Sequence, residues 1–382
     1  MVSGGNLGDF VGVPNASLYD PIANTWTRVS DMNAARWYPT NTTLSNGDVL
    51  VTSGEINTSA GVNTLPQVWQ AATRTWRDLT SAQLALPLYP RMFLAPNGKV
   101  LYATPDSTSR YLDTSGTGAW TPVANLNFNY RDYDTAVMYD VGKIFMVGGG
   151  DPPTATAEVI DINAGSGTWR SVASMAVARR QSNATILADG KVLVTGGTNA
   201  SGFNTAPTNA AVLAAELWDP ATEAWTTLAR MTHYRVYHST ALLLPDARVL
   251  SVGSGQPAAT GLTDDFTAEI FTPPYLYNAD GTLATRPAIS SAPTTLTYNQ
   301  QFTVQMPAAT TVNKVMWISL GSVTHSYNEN QRAMKLTFTG SGTTALTVTA
   351  PSRAALAPPG YYLLFIINGQ GVPSVAKIIH IA

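Results

Sequence analysis

Asp189-Gly190-Lys191-Val192-Leu193-Val194-Thr195-Gly196-Gly197 sets out a unit that recurs along the chain: a turn dipeptide, a short apolar strand and a paired-glycine turn. Asp-Gly and Asn-Gly favour tight hairpins. Asn46-Gly47 precedes Asp48-Val49-Leu50-Val51, and Asn97-Gly98 precedes Lys99-Val100-Leu101-Tyr102. Lys143-Ile144-Phe145-Met146-Val147 runs into Gly148-Gly149-Gly150, and Arg248-Val249-Leu250-Ser251-Val252 has the same form. Trp26, Trp76, Trp120, Trp169 and Trp225 share one phase of this repeat, as after the Leu217-Trp218-Asp219-Pro220 turn.

A period of roughly 50 residues with paired glycines and a phased tryptophan is the signature of kelch-type propeller blades. A four-stranded sheet that is apolar on both faces cannot bury them alone, so such sheets stack around an axis. The phased tryptophans are expected to pack between blades. The repeat opens out of phase: Val2-Ser3-Gly4-Gly5 sits mid-blade, with no strand or hairpin turn before it. This predicts an incomplete first blade in a chain truncated at its N-terminus, any signal peptide being lost with the missing part.

The pattern changes after Pro273-Pro274. Residues 275–287 read as a linker. Beyond them come Gln301-Phe302-Thr303-Val304-Gln305, Lys314-Val315-Met316-Trp317-Ile318, Ala345-Leu346-Thr347-Val348-Thr349, the wholly apolar Tyr361-Tyr362-Leu363-Leu364-Phe365-Ile366-Ile367, and Val375-Ala376-Lys377-Ile378-Ile379. These predict an immunoglobulin-like β-sandwich of about 95 residues. The expected fold is all-β: a propeller over residues 1–285, then the sandwich over 286–382.

Composition excludes several function classes. With 45% hydrophobic and only 12% charged residues, the chain is globular and turn-rich. A net charge of −2 gives no electrostatic reason to bind nucleic acid or an anionic membrane. No apolar run is long enough to span a bilayer. There are no cysteines, which removes disulfides and thiolate metal sites.

The candidate chemistry gathers at Tyr234-Arg235-Val236-Tyr237-His238-Ser239. Adjacent residues on a strand point to opposite faces. For Tyr237 and His238 to serve one site, the backbone must turn there. They are either a hydrogen-bonded pair closing a core or two ligands of a metal. The equivalent strand mouths carry Tyr38, Arg91, Tyr133 and Arg179. In a propeller these starts gather at one end of the axial channel, and convergence of distant residues at a concave mouth is the usual form of an active site. A polar, water-filled channel lined by hydrogen-bonded Arg and Asp is the plainer alternative. Of the four histidines, His380 reads as a surface residue of the last strand and His233 as a loop residue.

Arg235-Val236-Tyr237-His238-Ser239 with Leu242-Leu243-Leu244-Pro245-Asp246 resembles the copper-ligand motif of the galactose oxidase and glyoxal oxidase family, the copper-radical oxidases. Ala268-Glu269-Ile270-Phe271-Thr272-Pro273-Pro274-Tyr275-Leu276, Val323-Thr324-His325-Ser326, Asn330-Gln331-Arg332, Pro359-Gly360-Tyr361-Tyr362 and Gly371-Val372-Pro373-Ser374-Val375-Ala376 follow in the family's order. Ala35-Arg36-Trp37-Tyr38-Pro39-Thr40 resembles its first tyrosine motif, particularly in the glyoxal-oxidase branch. The resemblance implies a seven-bladed propeller with an early-set domain and a mononuclear copper site. His238, His325 and Tyr38 would be equatorial ligands, and Tyr237 the axial phenolate and general base. Nitrogen and oxygen donors suit Cu(II). Arg91, Tyr133 and Arg179 are the expected substrate-orienting residues.

The resemblance further implies a secreted, extracellular or cell-wall-associated monomer. Its substrates would be a small alcohol, aldehyde or carbohydrate and O₂, and its product hydrogen peroxide. In the family the tyrosine matching Tyr38 forms a thioether with a cysteine and carries the radical. This chain has no cysteine, and in the family that cysteine precedes the segment matching Val2-Ser3-Gly4-Gly5. The 382 residues alone are therefore expected not to turn over. A non-catalytic propeller that binds glycan or protein is the rival reading. Specificity is expected to depend on loops such as residues 198–214.

Overall fold

The computed structural model describes residues 1–203, 209–255 and 263–382. The part of the 198–214 loop from 204 to 208 thus lies outside the described residues. Regular structure is almost wholly β, with one turn of 3₁₀-helix at Pro274–Leu276. Among the described residues no helix is long and apolar enough to cross a membrane. The chain forms two compact units: residues 1–130 with 162–168, and residues 131–161 with 169–382.

The first unit holds three blade-type sheets. The first has three strands, Val2–Ser3, Ala16–Asp20 and Thr25–Arg28. The other two are four-stranded antiparallel meanders whose inner strands are Thr40–Thr43 and Arg91–Leu94. Leu50, Val68, Met92, Val100, Tyr102 and Leu112 fill the core between them. Trp76 and Trp120 tie neighbouring sheets together, whereas Trp26 in the first sheet is 60% exposed and departs from that expectation. The Trp76 indole N–H donates to Ser30 O (2.8 Å) and that of Trp120 to Ala82 O (2.8 Å).

The second unit holds two more four-stranded meanders, with inner strands Thr135–Asp140 and Arg180–Ile186, and a three-stranded sheet that begins at Thr240–Leu243. Trp225 repeats the tie to the preceding sheet through Ala173 O (2.7 Å). The hairpin turns form where the sequence places them. Gly190 has φ +90°, and Ala247 takes the same left-handed place in Pro245-Asp246-Ala247-Arg248 at φ +67°. The expected 285/286 boundary falls inside this unit. There a sandwich of five strands against three follows the blades. Gly360–Asn368 lies centrally, between Val312–Ser319 and Lys377–Ile381, as its continuous apolar run requires. Phe302, Val304, Val315, Trp317, Leu346 and Leu364 form the sandwich core. The outer face of the five-stranded sheet shares a second core with the blades: Met316, Leu363 and Phe365 pack with Phe145, Val194 and Trp218.

Two repeated devices set the inner strands. In the first, an arginine ahead of the strand is wholly buried. Arg131 donates to Gly148 O (3.0 Å), Thr156 O (3.1 Å) and Glu158 (2.7 Å). Arg179 donates to Gly196 O (3.1 Å), Ala214 O (3.1 Å) and Glu216 (2.6 Å). Arg235 pairs with Asp265 (3.1 Å) and bonds Thr267 (3.0 Å), while Arg36 in the first unit takes Ser53 O (2.6 Å) and Leu65 O (2.5 Å). In the second, the paired-glycine turn of one sheet donates to that arginine's carbonyl in the next: Gly5 N–H to Arg36 O (3.1 Å), Gly149 to Arg179 (2.9 Å) and Gly197 to Arg235 (2.6 Å). The approach leaves no room for a side chain. A Cβ on Gly196 would stand 2.2 Å from Arg235 O, and Gly196 has φ +70°.

Candidate metal and substrate site

The mouth of each inner strand is a non-glycine residue in the left-handed region: Tyr38 (φ +64°), Tyr89 (φ +48°), Tyr133 (φ +54°), Gln181 (φ +59°) and His238 (φ +64°). Such a residue costs about 1–3 kcal/mol and persists only where its surroundings over-determine it. The turn that Tyr237-His238 needs is therefore present. In the second unit the N–H of Gln181 donates to Tyr133 O (3.0 Å), and that of Gly255 to Tyr237 O (2.8 Å). The last mouth differs from the others by one residue. Arg36, Arg131 and Arg179 stand two positions before their left-handed residue, whereas Arg235 stands three before His238. Tyr237 lies in the extended spacing.

His325 reaches the same place from the sandwich. It sits at the tip of a short hairpin, Val323–Thr324 with Tyr327–Asn328, and is itself left-handed (φ +48°), as is Ser326 (φ +68°). Gln331 locks the segment onto the blades by accepting from Ile186 N–H (2.6 Å) and donating to Ala184 O (2.9 Å).

Tyr237, His238 and His325 converge. The Tyr237 ring, 1% exposed, lies 3.9 Å from the His238 ring and 5.4 Å from that of His325. The two imidazole Nε2 atoms are 2.9 Å apart. Burial holds His238 below the ordinary histidine pKa, against a backbone hydrogen bond with Gly255 and the charge of Asp264. His325 Nδ1 hydrogen-bonds Thr324 Oγ1 (2.7 Å), which fixes the ring.

This donor set fits a metal. Two metal–imidazole bonds of about 2.0–2.1 Å at a right angle would put their nitrogens about 2.9 Å apart. Two neutral imidazoles and a phenol are the N/O donors that suit Cu(II). Among the described residues no cluster of three or more His, Cys, Asp or Glu side chains is placed to hold a metal.

The other expected residues divide. Tyr133 stands edge-on to Tyr237 at 5.8 Å. Arg179, expected to orient substrate, has a fully enclosed guanidinium held by Glu216 and two carbonyls, and it belongs to the buried arginine series. Its neighbour Arg180 reaches the site instead. Its guanidinium lies 5.0 Å over the Tyr133 ring and pairs with Asp132 (2.6 Å) and Asp151 (2.9 Å). Phe203, which the repeat phase does not single out, packs 4.9 Å from Tyr237 and 6.1 Å from Tyr133. Its sign in the sequence is an aromatic in a Gly/Asn-rich loop.

Tyr38 and Arg91 belong to the first unit. The Tyr38 ring is stacked on Trp37 (3.8 Å) and on Tyr89 (4.7 Å), while Arg91 is 4% exposed and donates to Tyr89 O (2.6 Å). His233 is a loop residue held by Asp265 (2.9 Å), and His380 packs on Tyr361 in the last strand.

Comparison with known proteins agrees with this architecture. The galactose oxidase-like early-set domain family matches residues 286–381. A galactose oxidase of Gibberella zeae is 31% identical over 411 residues, covering 100% of this chain and 58% of its own length. The aldehyde oxidase GLOX of Vitis pseudoreticulata is 29% identical, covering 97% of this chain and 77% of its own. The chain thus spans little more than half of the galactose oxidase it matches. A solved fungal alcohol oxidase of the AA5 family, in complex with copper, superposes with a TM-score of 0.88 at 30% identity, over 97% of this chain and 81% of that one.

Proposed function

This chain belongs to the galactose oxidase and glyoxal oxidase family, and from that premise we propose that it is the propeller and early-set body of a secreted copper-radical oxidase. The reaction is RCH₂OH + O₂ → RCHO + H₂O₂, or the corresponding oxidation of an aldehyde hydrate. The observation that carries this reading is the 2.9 Å approach of His238 Nε2 and His325 Nε2 beside the buried Tyr237 phenol.

His238, His325, Tyr237 and, on the family resemblance, Tyr38 would hold the copper. When bound, copper would supply a Lewis-acidic anchor for the substrate oxygen and accept one of the two electrons. Tyr237, as the phenolate, would take the substrate hydroxyl proton onto its oxygen. Its buried ring, packed against His238, limits the water that competes for that proton. On the family resemblance, a thioether-linked and oxidised Tyr38 would supply the acceptor for a hydrogen atom from the adjacent carbon. No cysteine is present among the 382 residues, so these residues alone bind copper but lack that cofactor and do not turn over.

Copper titration followed by calorimetry and electron paramagnetic resonance tests the reading. The chain should bind one Cu(II) with a tetragonal signal, and His238→Ala and His325→Ala should each weaken binding at least tenfold. Unchanged affinity in both variants would overturn the ligand assignment and favour the non-catalytic propeller. Peroxide release by these 382 residues alone would overturn the proposed need for the thioether.

A further inference from the structure

An arginine beside an oxidase's catalytic phenol invites the reading that it grips an anionic substrate. Arg180 does not fit that role. Its side chain is 2% exposed, and its two terminal nitrogens already face carboxylates: Nη2 is 2.6 Å from Asp132 and Nη1 2.9 Å from Asp151. The carboxylates are on the accessible side, with side-chain exposures of 38% and 44%. Taken by themselves, these three side chains, one guanidinium and two carboxylates, carry net negative charge. Asp151 also accepts from the Gly202 N–H (3.1 and 3.2 Å), so the same carboxylate anchors the residue before Phe203. Among the described residues, Tyr237 also faces two carbocyclic aromatic rings: Tyr133, backed by Arg180 on its face, and the half-exposed Phe203.

We propose, resting on the oxidase reading, that Asp132, Arg180 and Asp151 together with Tyr133 and Phe203 make this site selective for neutral primary alcohols on an aryl or apolar frame, and closed to substrates that carry a carboxylate. The aromatic pair supplies the attractive part. An apolar or aryl carbon frame can lie against Phe203 and Tyr133 while its hydroxymethyl group reaches Tyr237. The ion-pair group supplies the repulsive part. An entering carboxylate meets Asp132 and Asp151 first, and to reach Arg180 it must displace one while remaining beside the other. Neutral sugars and alcohols meet no such barrier, so among substrates of similar size charge is the first discriminator.

The test uses a matched pair that differs in charge, benzyl alcohol and 4-(hydroxymethyl)benzoate. Binding to the copper-free full chain is measured by ligand-observed NMR titration at moderate ionic strength. Benzyl alcohol should bind at least tenfold more tightly. Phe203→Ala should weaken benzyl alcohol at least fivefold, and Asp151→Asn should narrow the gap by at least fivefold through tighter benzoate binding. Equal or tighter binding of the benzoate by the unaltered chain would overturn the proposal without reference to any variant. So would benzyl alcohol binding that is indifferent to Phe203→Ala. Failure of the oxidase reading shows separately, as copper affinity left unchanged in both His238→Ala and His325→Ala, with this charge preference intact.

Discussion

Arg179 and Arg180 are adjacent, yet they serve two different layers of the second unit. Arg179 belongs to a layer that repeats its chemistry: like Arg131 and Arg235 it is sealed from solvent and tied to an acidic partner and its own sheet. Arg180 sits beside the mouth layer, where the same backbone position carries Tyr133, Gln181 or His238. The arginine layer keeps one residue type and holds the sheets in place. The mouth layer keeps one backbone conformation and varies the side chain. Scaffold and chemistry are thus separated by a single residue step, because consecutive residues at the turn face different surroundings.

The largest test of this division is Arg179→Met. It strands Glu216, 1% exposed on its side chain, as an uncompensated buried charge, and should cost about 3–5 kcal/mol in chemical denaturation. Arg179→Met with Glu216→Leu should recover most of that loss, because the cost lies in the orphaned partner. A double variant as unstable as the single one would place Arg179's contribution in its carbonyl contacts.

Gly197→Ala comes next. Its Cβ would meet Arg180 O at 2.6 Å with φ at +88°, so a loss of about 1–3 kcal/mol is expected in the same measurement. Trp225→Phe removes the indole bond to Ala173 O and should cost about 0.5–1.5 kcal/mol. The smallest effect is expected in the mouth layer. Gln181 is fully buried and both ends of its amide lack a hydrogen-bond partner among the described residues, so Gln181→Met should change stability by less than about 1 kcal/mol, in either direction. A loss as large as that for Arg179 would erase the distinction between the layers.

The fold was legible because it repeats: hairpin dipeptides, paired glycines and phased tryptophans report the sheets directly. The Tyr237-His238 turn was legible for a stereochemical reason, since two neighbours on a straight strand cannot share a site. Arg179 misleads because two arginines stand side by side: it keeps the two-residue spacing of Arg36 and Arg131, so the mouth of its strand falls at Gln181, and nothing local marks which of Arg179-Arg180 belongs to the buried series. Left-handed tyrosine, glutamine and histidine are also invisible to propensity, which expects glycine there. Asp151 and Phe203 come from loops after inner hairpins, and only folding brings them to Tyr133.

The hydrogen bond from Gly197 to the Arg235 carbonyl has one further consequence. Arg235 is three residues from His238, so the histidine's alignment is referenced to a neighbouring sheet as well as its own. That sheet is referenced in turn, through Gly149 and the Arg179 carbonyl, to the one before it. The alignment of the ligand is therefore a tolerance accumulated along a series of joints, and slack at any earlier joint arrives at the imidazole as angular error.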